Sequence, residues 1–597
     1  MKKIIFLLVL TIGVVFQNFG QSHKYYVANS GNDKNDGTVG KPFKTVQKAA
    51  SLLNAGDSCI IRGGIYRETI IPTQSGLIGK PIVFMAYPSE NVIVSGSDIV
   101  SSKWKTYKGD IYKTYMPWTM GLGKDMIFVD GQLNVQARHP NKCVGAMPMP
   151  PVTEALSPLW PLVFGRYQVT KGSNVITNTN DLNQNQSDYW KGALYLGFHK
   201  WSWCMQTAQV ASSSKGQITF TNPTKTWWFP DDADMKDYAH MWDSIQNGYL
   251  TNHIHALDQP GEWHWQNDTL YLWTNKSTSP AKMLVEAKKR QLAFDLRNRN
   301  YIELKNLSVI ASSVNLYNAN NCTVAGCKLS YISHFQQWAD GREGIIDGNK
   351  SPEGALFRGE VGIIVGGTDN AFKNCIIEYS SGAGLYLNGN RTTVTNCIIH
   401  DCGYTSTYLG CIFIFNDHLN PGKQCGGHTI THCNLYNAGR AVVSVFGNEK
   451  NQTIFDPMEI CYNQIHDGCI LGNDGGLFNS WKVTMGTNDK KTEIHHNLIW
   501  DQWGQFWAGI VYPDNESYNM NAHHNVIWYS EKNKYDLKDR LIWKANLPNN
   551  CCYSDNVEKR KYTGDVKGLT NEDYPSGFFK TGASFGVNTS DYLIPGK

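Results

Sequence analysis

FKNC (Phe372–Cys375), VTNC (Val394–Cys397), ITHC (Ile430–Cys433), ICYN (Ile460–Asn463), IHHN (Ile494–Asn497) and AHHN (Ala522–Asn525) each carry Cys or Asn at one position, with an apolar residue three places earlier. VAGC (Val324–Cys327) precedes them in the same pattern, IELKN (Ile302–Asn306) aligns with them on its Asn but has Glu303 three places earlier, and the gaps from Asn306 to Asn525 are 21, 48, 22, 36, 30, 34 and 28 residues. A gap near 22 is the length of three short strands with three turns, and the longer gaps are the same unit with loops inserted at one corner. Four residues beyond the Cys or Asn stand the turn formers Asp401, Asn437, Asp467 and Asp501. A unit this short cannot bury its own apolar residues, so successive copies must stack, with like residues about 4.8 Å apart along the axis. The pattern predicts an all-β right-handed parallel β-helix. Cys327, Cys375, Cys397 and Cys433 then form one column of small buried hydrophobes, the default reading of most of the cysteines, with disulfides confined to a minority of them.

Outward from this core, the chain has 597 residues, 41% hydrophobic and 18% charged, with 55 Gly and 12% aromatics, which excludes disorder. The balance of 55 Lys+Arg against 51 Asp+Glu gives no footprint for a polyanion, so nucleic acid is not an expected partner. Lys2 and Lys3 before the apolar run Ile4 to Val15 have the layout of a secretory leader cleaved near Gly20 or Ser22. That run is shorter than the ~20 apolar residues of a membrane span, and no Cys follows it closely enough for lipid attachment. The expected product is secreted or periplasmic, not inserted in a membrane, and monomeric. The one-sided stripe Val46, Ala49, Ala50 and Leu53 predicts a capping helix from about Phe43 to Asn54 over the open end of the stack. Twelve of the 19 Trp fall between residues 101 and 290, which marks an inserted β region with hairpin turns at Asp130-Gly131 and Asn267-Asp268. Most of these Trp are expected to fill its core; exposed ones would stack on sugar rings. The expected organisation is a leader over 1–22, cap and first coils over 23–100, the Trp-rich insert over 101–290, the β-helix core over 291–560 and a tail over 561–597.

The opening YYVANSGNDKNDGTVGKPFKTVQKA (Tyr25–Ala49) and AGDSCIIRGGIYRE (Ala55–Glu68) resemble the start of exported bacterial β-helix proteins that act on carbohydrates, including pectate lyases of family 9. MIFVDGQLNVQARHPN (Met126–Asn141), PGEWHW (Pro260–Trp265), GNDGGLF (Gly472–Phe478) and GIVYPDN (Gly509–Asn515) resemble glycoside hydrolases of family 141. The resemblance implies hydrolysis of α-L-fucosyl or xylosyl linkages in plant or algal polysaccharide, and it implies Asp474 and Asp514 as the acid and the base or nucleophile. Cleaving a glycosidic bond needs two such carboxyls, roughly 5–5.5 Å apart for retention and 6.5–9.5 Å for inversion. Asp474 and Asp514 belong to consecutive coils. Aligning Gly476 with Gly509 puts Asp474 ahead of its strand and Asp514 beyond its own, so a bend at Gly475-Gly476 or Pro513 must bring them together.

Asp417 and His418 close the strand Cys411 to Phe415 at a comparable corner and are candidate substrate contacts; Glu378, Asp340 and Glu343 are further acids on corners. His334 and Trp338 begin the longest loop between coils, where binding residues are common. In His495-His496 and His523-His524, neighbours on a strand point to opposite faces, so at most one of each pair can face a given site. Stacking or support of a ligand-binding residue is favoured there over a metal, with His496 and His524 carried as substrate contacts. No Cys spacing fits zinc, and the hydrolase chemistry needs no cofactor. Two other readings stand beside the hydrolase. A lyase acting on a uronate glycan would need a Lys, Arg or His base beside an acid cluster holding calcium, and no Lys or Arg stands out at the corners. A non-catalytic glycan-binding β-helix would use the Trp-rich region instead.

Overall fold

In a computed structural model the described residues are 22–120, 124–141, 156, 160, 165–169, 174–198, 206–221, 245–334, 362–405, 409–415, 425–447, 453–472, 474–504, 507–514, 516–530 and 550–562. The leader, Asp340, Glu343, Trp338, Asp417 and His418 lie outside them. Every backbone group of a short strand needs a partner, and here the partners come from the coils before and after. Three parallel sheets result. Sheet 1 has twelve strands, from Lys24–Val27 to Cys552–Ser554; sheet 2 has eleven, from Gly64–Tyr66 to Val557–Tyr562; sheet 3 has eight, from Leu292–Asp295 to Val511–Pro513. One coil visits all three in turn, as in Thr393–Thr395, Ile398–Cys402 and Ile412–Phe415. The architecture is the right-handed parallel β-helix, the hand that twisted parallel strands impose on their connections.

The column read from the sequence lies inside. Cys327, Cys375, Cys397 and Cys433 are at most 2% exposed, and none of the described cysteines is in a disulfide. The register moves the first coil by one residue: Leu304 pairs with Val324, so Leu307 and not Asn306 stands opposite Cys327, a gap of 20. Asn306 is instead a corner residue. It shares left-handed backbone (φ +55°) with Gly326, Asn374, Asn396, His432, Tyr462, His496 and His524 between sheets 1 and 2, a conformation in which Asn and Gly are least penalised.

Below Cys433 the column changes to Asn463, Asn497 and Asn525, and thiols give way to a chain of amides. Asn463 donates its backbone N–H (2.9 Å) and Nδ2 (3.1 Å) to Oδ1 of Asn497, whose Nδ2 donates to the Ile460 carbonyl (2.8 Å) and to Oδ1 of Asn525 (3.0 Å). On the outer face of sheet 2 an aromatic column runs His400, Tyr436, His466, Trp500, Trp528, with near-parallel rings 4.1–5.0 Å apart.

The cap helix is shorter than its apolar stripe suggests, Val46–Ala50. Thr45 caps it, Glu68 accepts from the backbone N–H of Val46 (2.9 Å) and Gln47 (2.8 Å), and Phe43 stays extended because its N–H bonds the Tyr26 carbonyl (2.9 Å). The insert leaves the coil after Val92–Ser95, where the chain would enter sheet 3, and the chain resumes as the first strand of that sheet at Leu292–Asp295. It comprises an eight-stranded sheet and a seven-stranded antiparallel sheet. Asp130-Gly131 and Asn267-Asp268 have the positive φ of tight hairpin turns. Trp190 and Trp263 are buried in its cores, as expected of core-filling Trp.

The amide chain is testable. Asn497→Ala strands the Asn463 N–H and the Ile460 carbonyl in the interior, and each buried group left without a partner costs about 1–3 kcal/mol. The expected outcome is a loss of about 2–4 kcal/mol, measured as a lowered urea midpoint with hydrogen exchange quickened in residues 460–530.

Candidate active site

Between sheets 2 and 3 each coil turns through another left-handed residue: Tyr331, Tyr379, Asp401, Asn437, Asp467 and Asp501. These side chains are not solvated turn formers. Asp401 accepts from the Trp160 indole (2.5 Å), and Asp467 from the Trp503 indole (2.9 Å) and against His466 Nδ1 (2.9 Å). Trp160 comes from the insert and joins Tyr404, Ile470 and Trp503 in an apolar cluster, so the insert closes over this corner.

Beyond the corner lies the outer face of sheet 3. Its central column reads Tyr386, Phe413, Ser444, Asn479, Tyr512, aromatic for two coils, polar for two, and closed by the Tyr512 phenol. Ser444 and Asn479 are fully buried, and neither Ser444 Oγ nor the Asn479 amide has a partner among the described residues. Buried polar groups without partners are rare in folded chains and mark positions where a ligand or water completes the set. Asp474 sits beside them. Its coil reaches sheet 3 through Gly475, held at φ +132°, and Gly476, where a Cβ would come within 2.5 Å of the Gly509 carbonyl oxygen. This is the bend that the alignment of Gly476 with Gly509 requires, and the strand register Phe478 to Val511 keeps that alignment.

Arg440, one coil earlier and 3% exposed, fixes the bend: its Nε donates to the Asp474 carbonyl (2.8 Å) and its Nη2 lies 3.4 Å from Oδ2. The guanidinium also lies over the Phe446 ring (5.7 Å). Burial, with a smaller push from the Asp514 charge, raises the Asp474 carboxyl to about 6 against the opposing pull of Arg440 and Tyr512. Asp514 follows Pro513 at the end of its strand, with its N–H on the Ser480 carbonyl (2.8 Å). Burial, with the Asp474 and Asp514 charges, keeps the Tyr512 phenol protonated far above its usual range.

The other candidates divide by corner. His334 ends a strand of sheet 2, buried, with Nδ1 2.8 Å from the Tyr404 hydroxyl; burial, then Lys288 and Arg138, lowers it to about 3, so it is neutral. It shares the sheet 2–sheet 3 corner with Asp474 but stands four coils away, about 19 Å at the strand spacing. Glu378 is no corner acid. It lies on the face of sheet 2 between Ser330 and His400, and although burial opposes ionisation, His400 and Lys328 hold it down to about 2. His400 in turn is pushed to about 9: burial lowers it, but Asp401 and Glu378 outweigh burial, so the three form a buried ion network.

His496 and His524 stack on each other (5.1 Å, 1°) at the corner between sheets 1 and 2, and they do not meet the carboxylates. The five-residue strand Leu498–Gln502 intervenes, about 15 Å. The expected alternation of each His pair also fails. Left-handed backbone at His496 (φ +54°) and His524 (φ +52°) turns both rings of a pair to one side, with Nδ1 atoms 2.8 and 2.7 Å apart. Sequence reading missed Arg440, Asn479 and Tyr512. Arg440 corrects the expectation that no cation stands out at the corners; its signal is Gly439-Arg440, seven residues past Cys433, which the sheet 3 register sets level with Asp474-Gly475 of the next coil.

No family model matches the chain. A stretch of 87 residues is 40% identical to the uncharacterized protein YwoF of Bacillus subtilis (strain 168), covering 15% of this chain and 19% of that protein. A stretch of 76 residues is 37% identical to pectate lyase PEL9 of Emericella nidulans, covering 12% of this chain and 18% of that protein. The chain thus matches less than a fifth of the length of either curated relative. A solved structure described as a glycoside hydrolase superposes over 92% of this chain and 100% of its own, with TM-score 0.63 and 14% identity, and shares the fold.

The raised Asp474 carboxyl has a measurable thermodynamic consequence. Its folded-state value of about 6 lies above the usual 3.8, so the stability it confers is complete below about pH 4 and is lost as pH rises through 6. Two pKa units correspond to about 3 kcal/mol. Asp474→Asn, which cannot ionise, is expected to gain on the wild type by that amount between pH 4 and pH 8, read from the difference in melting temperature across pH.

Proposed function

We propose that the chain is an exported, monomeric glycoside hydrolase that cleaves an α-L-fucosyl or xylosyl linkage in a plant or algal polysaccharide, with Asp474 as proton donor and Asp514 as base or nucleophile. One observation carries the reading: a buried carboxyl raised to about 6 beside a second carboxyl whose charge helps to raise it, on an outer face where Ser444 and Asn479 have no partner among the described residues. A buried carboxyl held protonated beside a second carboxylate is the arrangement that glycosidic cleavage uses. Asp474, protonated below about pH 6, delivers its proton to the leaving oxygen. Asp514, ionised, attacks the anomeric carbon or takes the proton of an attacking water. Arg440 stabilises the carboxylate that the transfer leaves on Asp474, and Asn479 and Ser444 offer hydrogen bonds to sugar hydroxyls. The sugar identity comes from the resemblance of the motifs around these residues.

A lyase acting on a uronate glycan with calcium is the second reading, because Arg440 supplies the cation beside acids that such chemistry needs. Its bonds to the Asp474 carbonyl and carboxylate weigh against it, since a guanidinium held by a carboxylate is a poor base. A glycan-binding chain without activity is the third. Products from a panel of fucosylated, xylan and uronate glycans separate the three: new reducing ends without ultraviolet absorbance for the hydrolase, an absorbing unsaturated end lost with chelator for the lyase, and unchanged glycan for the binder.

Asp474→Asn and Asp514→Asn should each lower turnover about 10²–10⁴-fold, the worth of a positioned acid or base, with circular dichroism unchanged; full activity in both ends the hydrolase reading. Activity of the wild type should fall as pH rises through about 6, following loss of the Asp474 proton. Arg440→Met removes the charge that favours the carboxylate and should move that descending limb to higher pH, checked by pH profiles of kcat/KM.

A further inference from the structure

On the far side of sheet 2, the outer face of sheet 1 carries a group of donors that the proposed hydrolysis does not use. Glu459 and Cys461 stand two apart on the strand Glu459–Cys461 and so share a face, and the register sets His495 of the next coil beside Cys461. A carboxylate oxygen of Glu459, Sγ of Cys461 and a ring nitrogen of His495 all lie within 4.8 Å of one another. Glu459 Oε1 and His495 Nε2 are 3.4 Å apart. Two ligands about 2.1 Å from a tetrahedral zinc ion are separated by about 3.4 Å, so this pair already has the spacing of bound ligands. Glu459 has 54% of its side chain exposed and can swing to close the set; Cys461 is 4% exposed and fixed from the sheet.

The histidine is also held from behind. His495 Nδ1 faces His496 Nδ1 at 2.8 Å, because the left-handed backbone of His496 turns its ring to the same side. With Nε2 bound to a metal, Nδ1 carries the proton and donates it to His496, which is the supporting bond that ligating histidines almost always make. His523 stacks on His495 (5.1 Å, 9°) and is itself tied to Glu493 (3.1 Å), so one face of the ring is held.

We propose that Glu459, Cys461 and His495 form a site for a zinc-class transition metal ion, with a fourth position open to water. Thiolate, imidazole and carboxylate together select zinc or cobalt over calcium or magnesium, which take oxygen alone. The ligands come from two consecutive coils, so the ion fastens one coil to the next, and binding releases the Cys461 thiol proton to solvent.

The test uses the full mature chain, stripped with chelator and titrated with Co²⁺ alone and then with Zn²⁺. One equivalent of Co²⁺ should produce a thiolate-to-cobalt charge-transfer band with the visible bands of a tetrahedral ion, and Zn²⁺ should bleach them. Cys461→Ser should remove the charge-transfer band, while Cys552→Ser, at the exposed cysteine of sheet 1, should leave it. Glu459→Gln, on a solvent-facing side chain that the fold does not need, should weaken binding at least tenfold, and His496→Phe about tenfold. Absence of the band, its persistence in Cys461→Ser, or its loss in Cys552→Ser instead would overturn the assignment.

Discussion

Each coil of this chain must satisfy the hydrogen bonds of the next, and that demand governs the rest of the molecule. A short strand alone cannot bury an apolar side or pair its backbone, so every residue is constrained by its counterpart one coil away. The Cys column and the amide chain that continues it are two chemical answers at the same inward position. The thiols fill space and bond weakly to neighbouring carbonyls, as Cys375 does to Val324 (3.4 Å). The amides place both donor and acceptor where the coil turns, and they do so along the half of the stack that carries Asp474 and Asp514.

The corners convert this regularity into chemistry. A residue in left-handed backbone leaves the strand at an angle that alternation does not allow, and its side chain lands where a strand residue's would not. At one corner this yields the buried acids Asp401 and Asp467, each answered by an indole from elsewhere in the chain. At the next turn of the coil, Gly475 and Gly476 fold Asp474 back over sheet 3 toward Arg440 and Tyr512. Asp474 and Glu378 show how environment decides the outcome for similar groups. Both are largely withdrawn from water, but His400 and Lys328 surround Glu378 closely enough to keep it ionised, whereas Arg440 offsets only part of the cost at Asp474.

Much of this is legible in the sequence. The columns, the helix that covers the first coil and the hairpins of the insert rest on local patterns of apolar and turn residues, and these patterns are direct consequences of burial and backbone conformation. The misplacement of Asn306 by one residue arose because Asn marks both a corner and an inward position in this chain; only the apolar partner Leu304 distinguishes them. For the pairs His495-His496 and His523-His524 strand alternation is the wrong rule, because it holds within a strand and ends at the corner where their second members stand. Arg440 escaped notice because its role depends on a carboxylate 34 residues later, brought beside it by one coil of winding. Nothing in the local sequence of either residue announces that meeting.

The amide run has one more implication, for how such a chain can change over evolutionary time. Asn463, Asn497, Asn525 and Asn556 present identical bonding edges above and below. A whole coil duplicated or deleted within that run would find the same complementary edges on both sides, with no compensating substitution. Lengthening by copying is therefore chemically easy there, and the junction with Cys433 costs a single bond, since Asn463 accepts from the Cys433 N–H (2.9 Å) and donates to the Ile430 carbonyl (2.9 Å) as its successors do.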